Sequence, residues 1–486
     1  MIVKLYSTYQ LNKLALEQNF ADCSDFLLRE IKVDDCDAMI CVMDGLVDSL
    51  QLSQMVVRPI LSSRLVFRTP NEHYELIKDR IVGSVEMNEA TAFEDVEYYL
   101  MSGFAVFLLD GCTTALALGV QGWNRRNTDE PDNEAMVKGA KECFVETLND
   151  NKALLRKRLK TPHLKLKQIK LGKTAKTPVV IAYIDDKADM NTVADVERRL
   201  RSTDLDTIQD YGCLHPYIDT DIPSFFSAVG NTERPDVLAS KLLEGRVAVM
   251  VEGTPFVMYT PYLFTDNFSA LDDYDNPPFY SSFMRGLKYF SFILSVFLPA
   301  IYVAVGTFHQ ELIPTTMLYV IATSEATTPF PLMLEAIMIH LLYEIMREAG
   351  LRLPSSIGHA VSIIGAIVIG DATVSAGIIG APMLVVVAVT AIASYVVYPL
   401  YESIAVLRIL FIIVGGLTGM YGLMLAAGAL FVNICAINPY GVPYSAPLSP
   451  LTADSINDTL LRRGWKKLAG RNVRLSNLEG VSIDKK

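Results

Sequence analysis

The sequence predicts an α/β cytosolic N-terminal region of two tandem subdomains, followed by an all-α polytopic membrane domain. Two observations lead to this fold class. The 486 residues are 51% apolar and only 20% charged, with a mean hydropathy of +0.29, which argues against both a purely soluble and a disordered chain. Charged residues are dense up to about residue 287 and then become rare until about residue 437. A soluble part therefore precedes a membrane part.

The soluble part carries an internal repeat. The strand-like run 38–44 resembles the run 177–185, and the glycine-bounded run 103–111 resembles 245–253. The two pairs recur at offsets of 141 and 142 residues. The alternative, that any two apolar strands look alike, gives no reason for a shared offset. We therefore expect two α/β subdomains in tandem.

The predicted organisation runs from an N-terminal extension to a cytoplasmic tail. The first 30 residues contain neither a continuous apolar stretch nor a small-residue cleavage site. We therefore expect no signal peptide and a cytosolic N-terminal region. The predicted segments are an N-terminal extension (1–21), α/β subdomain 1 (22–125), a helical and basic connector (126–175), α/β subdomain 2 with a juxtamembrane segment (176–285), a transmembrane domain (286–440) and a tail (441–486).

The connector is predicted to contain a helix over 133–159 and a basic strip. Nine lysines and arginines fall within residues 156–176. We interpret this strip as a solvated face, which is the usual role of such a run. The alternative is contact with anionic lipid headgroups or with an acidic surface of a neighbouring subunit.

The membrane part contains stretches long enough to cross a hydrocarbon core of about 30 Å, over 287–307, 381–400 and 404–437. The stretch 308–328 is too polar for a clean span and is predicted to be interfacial or re-entrant. Basic residues mark cytoplasmic ends before the first stretch, near Arg352 and in the tail, so an even number of crossings follows. Glycines between 415 and 422 permit a kink or a hairpin, and either remains open.

Ionisable and hydroxyl side chains inside this apolar part are candidates for an ion pathway, because charges in a bilayer are costly. Asp371 lies among small residues, with Thr373 and Ser375 as neighbouring oxygen donors. A purely structural hydrogen bond to a neighbouring helix is an equally weighted alternative for Asp371. Glu335 lies deeper than Glu344, which the sequence places near basic residues that could pair with it. The candidates are Asp371, Glu335, Thr373, Ser375 and Glu344.

Several functional classes are disfavoured. The net charge of −11 and the pI near 5.2 argue against a nucleic-acid-binding protein. No GxGxxG, HExxH or GxSxG signature occurs, so no enzyme or cofactor is expected. Seven scattered cysteines form neither a disulfide framework nor a zinc-ligand spacing. His340 and Glu344 lack an evident third ligand, so no metal site is expected.

Several runs resemble the A subunit of GerA-type spore germinant receptors. They include Gly139–Leu148 and Asn151–Arg158 in the connector, and Thr307–His309, Pro329–Pro331, Arg347–Gly350 and Gly441–Pro443 in the membrane part. The most specific run lies between them, in the second subdomain. Its family-motif residues are Asn231, Thr232, Glu233, Arg234, Pro235, Asp236, Glu244, Gly245, Arg246, Gly253, Thr254 and Pro255. Asp371 departs from the pattern, because a neutral polar residue is commoner there.

The resemblance implies a membrane subunit of a nutrient-responsive receptor in the inner membrane of the spore. It implies partnership with a transporter-like B subunit and a lipoprotein C subunit, and self-association as a ring of five around a gated cation pathway. The alternatives are a paralogous spore-membrane channel protein that amplifies germination, a secondary transporter, and a scaffold subunit. Repeats appear only in the soluble part, which disfavours the transporter.

Overall fold

The α/β part and the helical part follow one another along the chain. The computed structural model describes residues 3–34, 36–62, 69–81, 86–122, 131, 134, 139–353, 365, 370, 372–449, 459–464, 466, 475, 478 and 481. Within them, the N-terminal part forms two five-stranded sheets and the C-terminal part is helical. The predicted order of a two-subdomain α/β region followed by helices is confirmed.

The first sheet is antiparallel, with the strand order β1-β2-β4-β5-β3. Its strands are β1 (Phe26–Val33), β2 (Cys36–Met43), β3 (Met87–Ala90), β4 (Phe104–Leu109) and β5 (Ala115–Gly119). Its helices are α1 (Tyr9–Asn19), α2 (Ser49–Gln51), which continues as a π-helix (Leu52–Val57) and α3 (Arg58–Ser62), α4 (Pro70–Leu76), which continues as a π-helix (Ile77–Ile81), and α5 (Phe93–Met101).

The second sheet is also antiparallel, with the order β6-β7-β9-β10-β8. Its strands are β6 (Leu164–Leu171), β7 (Thr177–Ile184), β8 (Gly230–Thr232), β9 (Val247–Val251) and β10 (Val257–Thr260). The α-helices beside it are α6 (Leu148–Arg158), α7 (Met190–Arg201), α8 (His215–Ile218) and α9 (Pro235–Leu243).

The two sheets confirm the internal repeat. The matched runs become β2 and β7, and β4 and β9, which are second and third in their respective sheets. Alternate residues of β4 enter two different apolar clusters, and those of β9 do the same. Both strands are therefore buried on both faces, which explains their uninterrupted apolar sequences.

The helix predicted over 133–159 is wrong for residues 139–147, which are not helical, and α6 begins at Leu148. Residues 133 and 135–138 lie outside the described residues. Gly139 has a positive φ of 122°, which interrupts helical geometry. The Asn151 side chain then bonds both backbone groups of Val145, donating to its carbonyl at 2.6 Å and accepting from its amide at 2.7 Å. These bonds hold the residues before α6 outside the helix.

Part of the basic strip is a strand of the second sheet. In β6, lysines alternate with apolar residues, and Leu164 and Leu166 are fully buried. Period-two alternation is typical of a strand with one face toward the core. Charge density alone therefore gave an incomplete interpretation of residues that had been assigned to the connector.

The two subdomains are joined by backbone and side-chain bonds. The amide of Ser24 donates to Leu166 O at 3.0 Å, and the amide of Leu166 donates to Asp22 O at 3.2 Å. Arg156, fully buried, donates through Nε and Nη2 to the buried Asp25 at 2.9 and 3.0 Å. Residues 22–25 are thus fixed against β6 and α6.

The helical part follows a short helix, α10 (Asp272–Asp275). Its helices are α11 (Pro278–Phe308), α12 (Thr315–Glu325), α13 (Leu332–Arg352), α14 (Thr373–Ser375), α15 (Ala381–Val396) and α16 (Tyr401–Ala436). Among the described residues, two helical stretches, Pro278–Phe308 and Tyr398–Ala436, are long and apolar enough to cross a membrane.

The chain reverses direction at Gly419 within α16. Gly419 has non-helical angles, φ 65° and ψ −156°. Ser403 donates to Phe225 O, and Asn433 donates to Pro223 O at 3.0 Å. An uninterrupted helix would place positions 403 and 433 about 45 Å apart, yet both bond neighbouring residues of one loop. The last apolar stretch is therefore a hairpin of two helical arms, which resolves the choice between a kink and a hairpin.

We define two ends of the helical bundle formed by α11, α13, α15 and α16. At the domain end, Phe292 of α11 contacts Phe264, with ring centroids 5.7 Å apart. At the distal end, a Cβ on Gly306 would lie 2.6 Å from the Leu332 side chain, and one on Gly419 would lie 3.3 Å from Cβ of Phe308. Small residues thus permit the close packing of these helices.

Candidate functional site

Arg234 fixes the connector to the second subdomain. Its buried guanidinium donates through Nη2 to Ala140 O at 2.9 Å and to Asp236 Oδ2 at 2.7 Å. Pro235 follows as the first residue of α9, where its missing amide hydrogen is not needed. Arg234, Pro235 and Asp236 therefore start α9 and hold the connector against it.

Glu134 lies beside the same motif. Thr232 donates through Oγ1 to Glu134 Oε2 at 2.6 Å, and the amide of Glu134 donates to Glu233 Oε1 at 2.9 Å. Burial raises the pKa of Glu134 to about 6, since hydrogen bonds from Thr232 and the Glu233 amide offset the desolvation only in part. Asn231 is exposed, and its side chain donates to Tyr211 Oη at 3.4 Å.

Arg246 connects the second sheet to the residues before α11. Its buried guanidinium donates through Nη1 to Asp266 Oδ2 at 2.6 Å and to Pro261 O at 2.8 Å, and through Nε to Glu244 Oε2 at 3.1 Å. Burial disfavours the charged carboxylate of Asp266, but Arg246 and Lys241 outweigh this effect and lower its pKa.

Two glycines of the motifs have positive φ. Gly245 has φ +95°, and a Cβ there would lie 2.7 Å from Lys187 O, so only glycine fits. Gly253, with φ +92°, donates its amide to Glu146 O at 2.8 Å. Thr254 is buried and its Oγ1 accepts from the Phe256 amide at 3.3 Å. Gly253, Thr254 and Pro255 lie in the turn between β9 and β10, and Gly253 connects this turn to the connector.

An aromatic cluster joins the second subdomain to the bundle. Phe264 lies 5.8 Å from Phe226, 5.7 Å from Phe292 and 6.0 Å from Tyr444, measured between ring centroids. Phe268 stacks on Tyr289 of α11 at 4.0 Å. Arg246 and Asp266 immediately flank this cluster in the fold, so the motif residues and the bundle meet at one junction.

Sequence reasoning missed a buried ion pair at this junction. Arg285 of α11 is fully buried and donates through Nε to Asp273 Oδ2 at 2.8 Å. Lys288 also lies 3.7 Å from Asp273 Oδ1. The sequence pattern indicates only that Arg285 is one of the basic residues before the first apolar stretch. An acidic residue twelve positions earlier was the signal that could have identified the pair.

Glu335 is fully buried at the distal end. Its Oε1 accepts from the Gly380 amide at 2.6 Å. Its Oε2 is buried and has no hydrogen-bond donor among the described residues. Such a group is uncommon in folded proteins and calls for an explanation.

Glu344 is neutralised at the domain end. Its Oε2 accepts from Arg347 Nε at 3.0 Å, and both carboxylate oxygens accept from Tyr401 Oη at 3.0 Å. Arg408 Nη2 lies 3.6 Å from Glu344 Oε1, and Arg408 Nη1 lies 3.5 Å from Nδ1 of the buried His340. These contacts favour a structural role for Glu344. Sequence reasoning missed Arg408, although an arginine inside an apolar helix is itself a signal.

The remaining pathway candidates lie around α14. Thr373 is partly buried and Ser375 is exposed. The Thr373 carbonyl accepts from the Ile378 amide at 3.0 Å, at the start of the turn that carries Gly380 to Glu335. Asp371 lies outside the described residues. The structure therefore brings the α14 turn close to Glu335, while Glu344 lies at the opposite end of the bundle.

A group of potential metal ligands lies just before β6 and just after β7. His163, Asp185 and Asp186 offer ligand atoms within 4.8 Å of one another, but His163 is exposed and the two carboxylates lie near the surface. His163 Nδ1 already bonds Asp185 at 2.8 Å, and Lys165 Nζ lies 3.5 Å from the other oxygen of Asp185. These contacts supply partners without a metal ion.

Comparison with known proteins decides the family. The family model described as "Bacillus/Clostridium GerA spore germination protein" matches residues 14–473. The chain belongs to the GerA family. This finding confirms the resemblance drawn from the motifs.

Individual GerA relatives cover most of the chain. Spore germination protein KA of Bacillus subtilis (strain 168) is 36% identical over 447 residues, which are 91% of this chain and 82% of that protein. Spore germination protein B1 of the same organism is 33% identical over 464 residues, 95% of each chain. Spore germination protein GerLA of Bacillus cereus is 32% identical over 431 residues, 88% of this chain and 87% of that protein.

A solved structure is also similar to part of this GerA chain. It is the crystal structure of the N-terminal domain of the A subunit of the Bacillus megaterium spore germinant receptor GerK3. It is 28% identical, with a TM-score of 0.44, and covers 54% of this chain and 98% of that one.

Proposed function

We propose that this chain is the A subunit of a nutrient-responsive spore germinant receptor, which assembles with copies of itself into a gated cation pathway. Membership of the GerA family supports the germination role. The chain is proposed to act by a change of conformation and to perform no covalent chemistry. Its proposed partners are a transporter-like B subunit, which binds the nutrient, and a lipoprotein C subunit.

The proposal of a multi-pass membrane location is carried by the exposed apolar surface of the last hairpin. In its second arm, Tyr421, Met424 and Val432 are 74%, 69% and 69% exposed. A large contiguous apolar surface of this kind is rare on soluble proteins and marks contact with a membrane or another protein. We place the bundle in the inner membrane of the spore, with the α/β region cytoplasmic.

The proposed cation pathway uses the oxygen-bearing side chains of the bundle. Glu335 supports this proposal because the residues that the structure describes satisfy its buried carboxylate only in part. Asp371, Thr373 and Ser375 remain candidates on sequence grounds, and Glu344 is the weakest because arginines already surround it. A ring of subunits, proposed to number five, would bring these groups together around one axis.

The junction of the second subdomain with the bundle supports a coupling role. Binding of nutrient by the B subunit would bias a closed–open equilibrium only if it contacts the two states differently. The Arg246–Asp266 pair and the aromatic cluster around Phe264 link the sheet to α11. We propose that this junction transmits the change between the closed and open states from the second subdomain to the bundle.

The decisive experiment is reconstitution of the chain in planar bilayers, alone and with its B and C subunits. Step-like currents that depend on the nutrient support the channel. Saturable solute flux would favour a transporter, and silence in every combination would favour a scaffold. In spores, Asp371→Asn is expected to change the rate or selectivity of ion release. An unchanged rate and selectivity would remove Asp371 from the pathway.

A further inference from the structure

The distal end of the bundle carries carboxylate and hydroxyl oxygens that the packing of the helices leaves partly unused. Glu335 is fully buried, and its Oε2 has no donor among the described residues. Its other oxygen accepts a single bond, from the Gly380 amide at 2.6 Å. A buried carboxylate oxygen without a partner calls for a hydrogen-bond donor, a cation or a proton to compensate its burial.

Gly380 packs directly against two of these oxygens. A Cβ on Gly380 would lie 2.7 Å from Ser324 Oγ, which is too close, and 3.4 Å from Glu335 Oε1. Glycine at this position therefore lets the Ser324 hydroxyl and the Glu335 carboxylate approach the same turn. The two oxygens are thus neighbours beside the backbone of Gly380.

A second carboxylate lies within electrostatic range of the first. Glu325 follows Ser324 at the end of α12, is partly buried, and lies near enough to Glu335 for the two charges to interact. Tyr302 of α11 lies near both carboxylates. The oxygens thus come from three helices that meet at the distal end of the bundle.

Within the part of the chain that the structure describes, this group has no basic partner. Among the described residues, neither Glu335 nor Glu325 lies within 4.0 Å of a lysine, arginine or histidine nitrogen. Glu344, on the same helix as Glu335, has Arg347 at 3.0 Å and Arg408 at 3.6 Å. Two carboxylates with no basic partner in the described ranges, together with hydroxyl oxygens, match the donor set that hard divalent cations prefer.

We propose that Glu335, Glu325 and Ser324 form a binding site for a hard divalent cation of the calcium class. The site deepens the cation pathway proposed above, and rests on it for its position in the membrane. Its bound ion would connect the end of α12 to α13 and to the turn before α15. The ion would therefore hold the distal ends of these elements in one arrangement.

The test is calcium binding to the full-length chain, purified in detergent and stripped with a chelator. Titration calorimetry with CaCl₂ is expected to give one saturable site that Glu335→Gln weakens by about 30-fold or more, as loss of a buried charge partner does. Glutamine keeps the acceptor for the Gly380 amide, so the fold should be preserved. Gly380→Ala is expected to weaken binding as well, because the added Cβ would displace Ser324 Oγ.

Glu344→Gln is the matched control, because it removes a carboxylate of the same helix that arginines already neutralise. It should bind calcium like the unmodified chain. Equal calcium affinity in the unmodified chain and Glu335→Gln would overturn the site. Thermal unfolding of the full-length chain provides a second measurement. If KCl and CaCl₂ raised the unfolding temperature equally at matched ionic strength, the site would also be overturned. If acid raised it without any calcium binding, the occupant would be a proton.

The outcome is separable from that of the proposed function. Calcium binding that depends on Glu335 in a chain that passes no current would support the site and contradict the channel. Nutrient-dependent current in a chain that binds no calcium would support the channel and contradict the site.

Discussion

Two buried arginines, one in each half of the chain, differ in how completely their charges are compensated. Arg156, between the subdomains, makes bonds of 2.9 and 3.0 Å to Asp25, and Nη1 donates to Leu164 O at 2.9 Å. Arg408, in the bundle, has its nearest partners at 3.5 and 3.6 Å, and its buried Nε has no hydrogen-bond partner among the described residues. A buried charge with short bonds to an opposite charge, as at Arg156, holds segments of the chain together. A buried charge with incomplete hydrogen bonds, as at Arg408, reduces stability and therefore points to function.

The largest expected effect on stability is at Arg156, whose charge is paired with Asp25. Arg156→Met should destabilise the chain by about 3–5 kcal/mol, because Asp25 would remain buried without its partner. The midpoint of thermal unfolding of the full chain in detergent is the measurement. Arg201→Met is the control, since the Arg201–Glu197 pair has similar bonds but is exposed and should contribute at most about 1 kcal/mol. Equal shifts in the two variants would contradict the contrast.

An intermediate effect is expected at Glu134, the partly compensated acid of the α/β half. Its pKa is raised to about 6, so the folded chain binds this proton more tightly than the unfolded chain does. The contribution to stability is full below the ordinary glutamate pKa and is lost as pH rises through about 6, a change of about 2 kcal/mol.

Glu134→Gln should remove that dependence. We expect the difference in thermal midpoint between the variant and the unmodified chain to vary between pH 4.5 and 6 and to be constant above it. Glu142→Gln is the control. Glu142 belongs to the same connector, and hydrogen bonds from Lys157 and Arg158 lower its pKa despite its burial. The pH dependence of its contribution to stability should therefore have the opposite sign. A difference that stays constant across the range would contradict the burial of Glu134.

The smallest expected effect on stability is at Arg408, whose hydrogen bonds are incomplete. Arg408→Met should change stability by less than about 1.5 kcal/mol, because an apolar residue of similar length replaces a charge whose bonds are incomplete. Glu344 would keep Arg347 and Tyr401 as partners. The same thermal measurement as for Arg156→Met applies. A loss as large as that of Arg156→Met would show that Arg408 is as fully compensated as the arginines of the α/β half.

The tandem sheets were predictable because the repeat occurs twice at nearly one offset, and chance similarity rarely preserves both. β6 was not assigned to the second sheet, because its lysines outweighed the alternation of Leu164 and Leu166 in the interpretation. Local sequence predicts the direction of each side chain in a strand, but charge density reports only exposure.

The candidate site was predictable only in part. Glu335 stands out in sequence because an acid in an apolar helix is costly. Its relation to Gly380 and Ser324 depends on three segments meeting in space, which no local pattern encodes. Arg408 was overlooked because its neighbours satisfy the apolar pattern of a span. The reversal at Gly419 was left open because several neighbouring glycines permit it equally.

The reversal at Gly419 has a practical consequence for the whole polypeptide. Since Ser403 and Asn433 both return to the loop at 223–225, the residues after α16 emerge beside the sheet that precedes α11. A reporter fused after the last residue should face the same compartment as one fused before the first. An odd number of passages would put the two reporters on opposite sides.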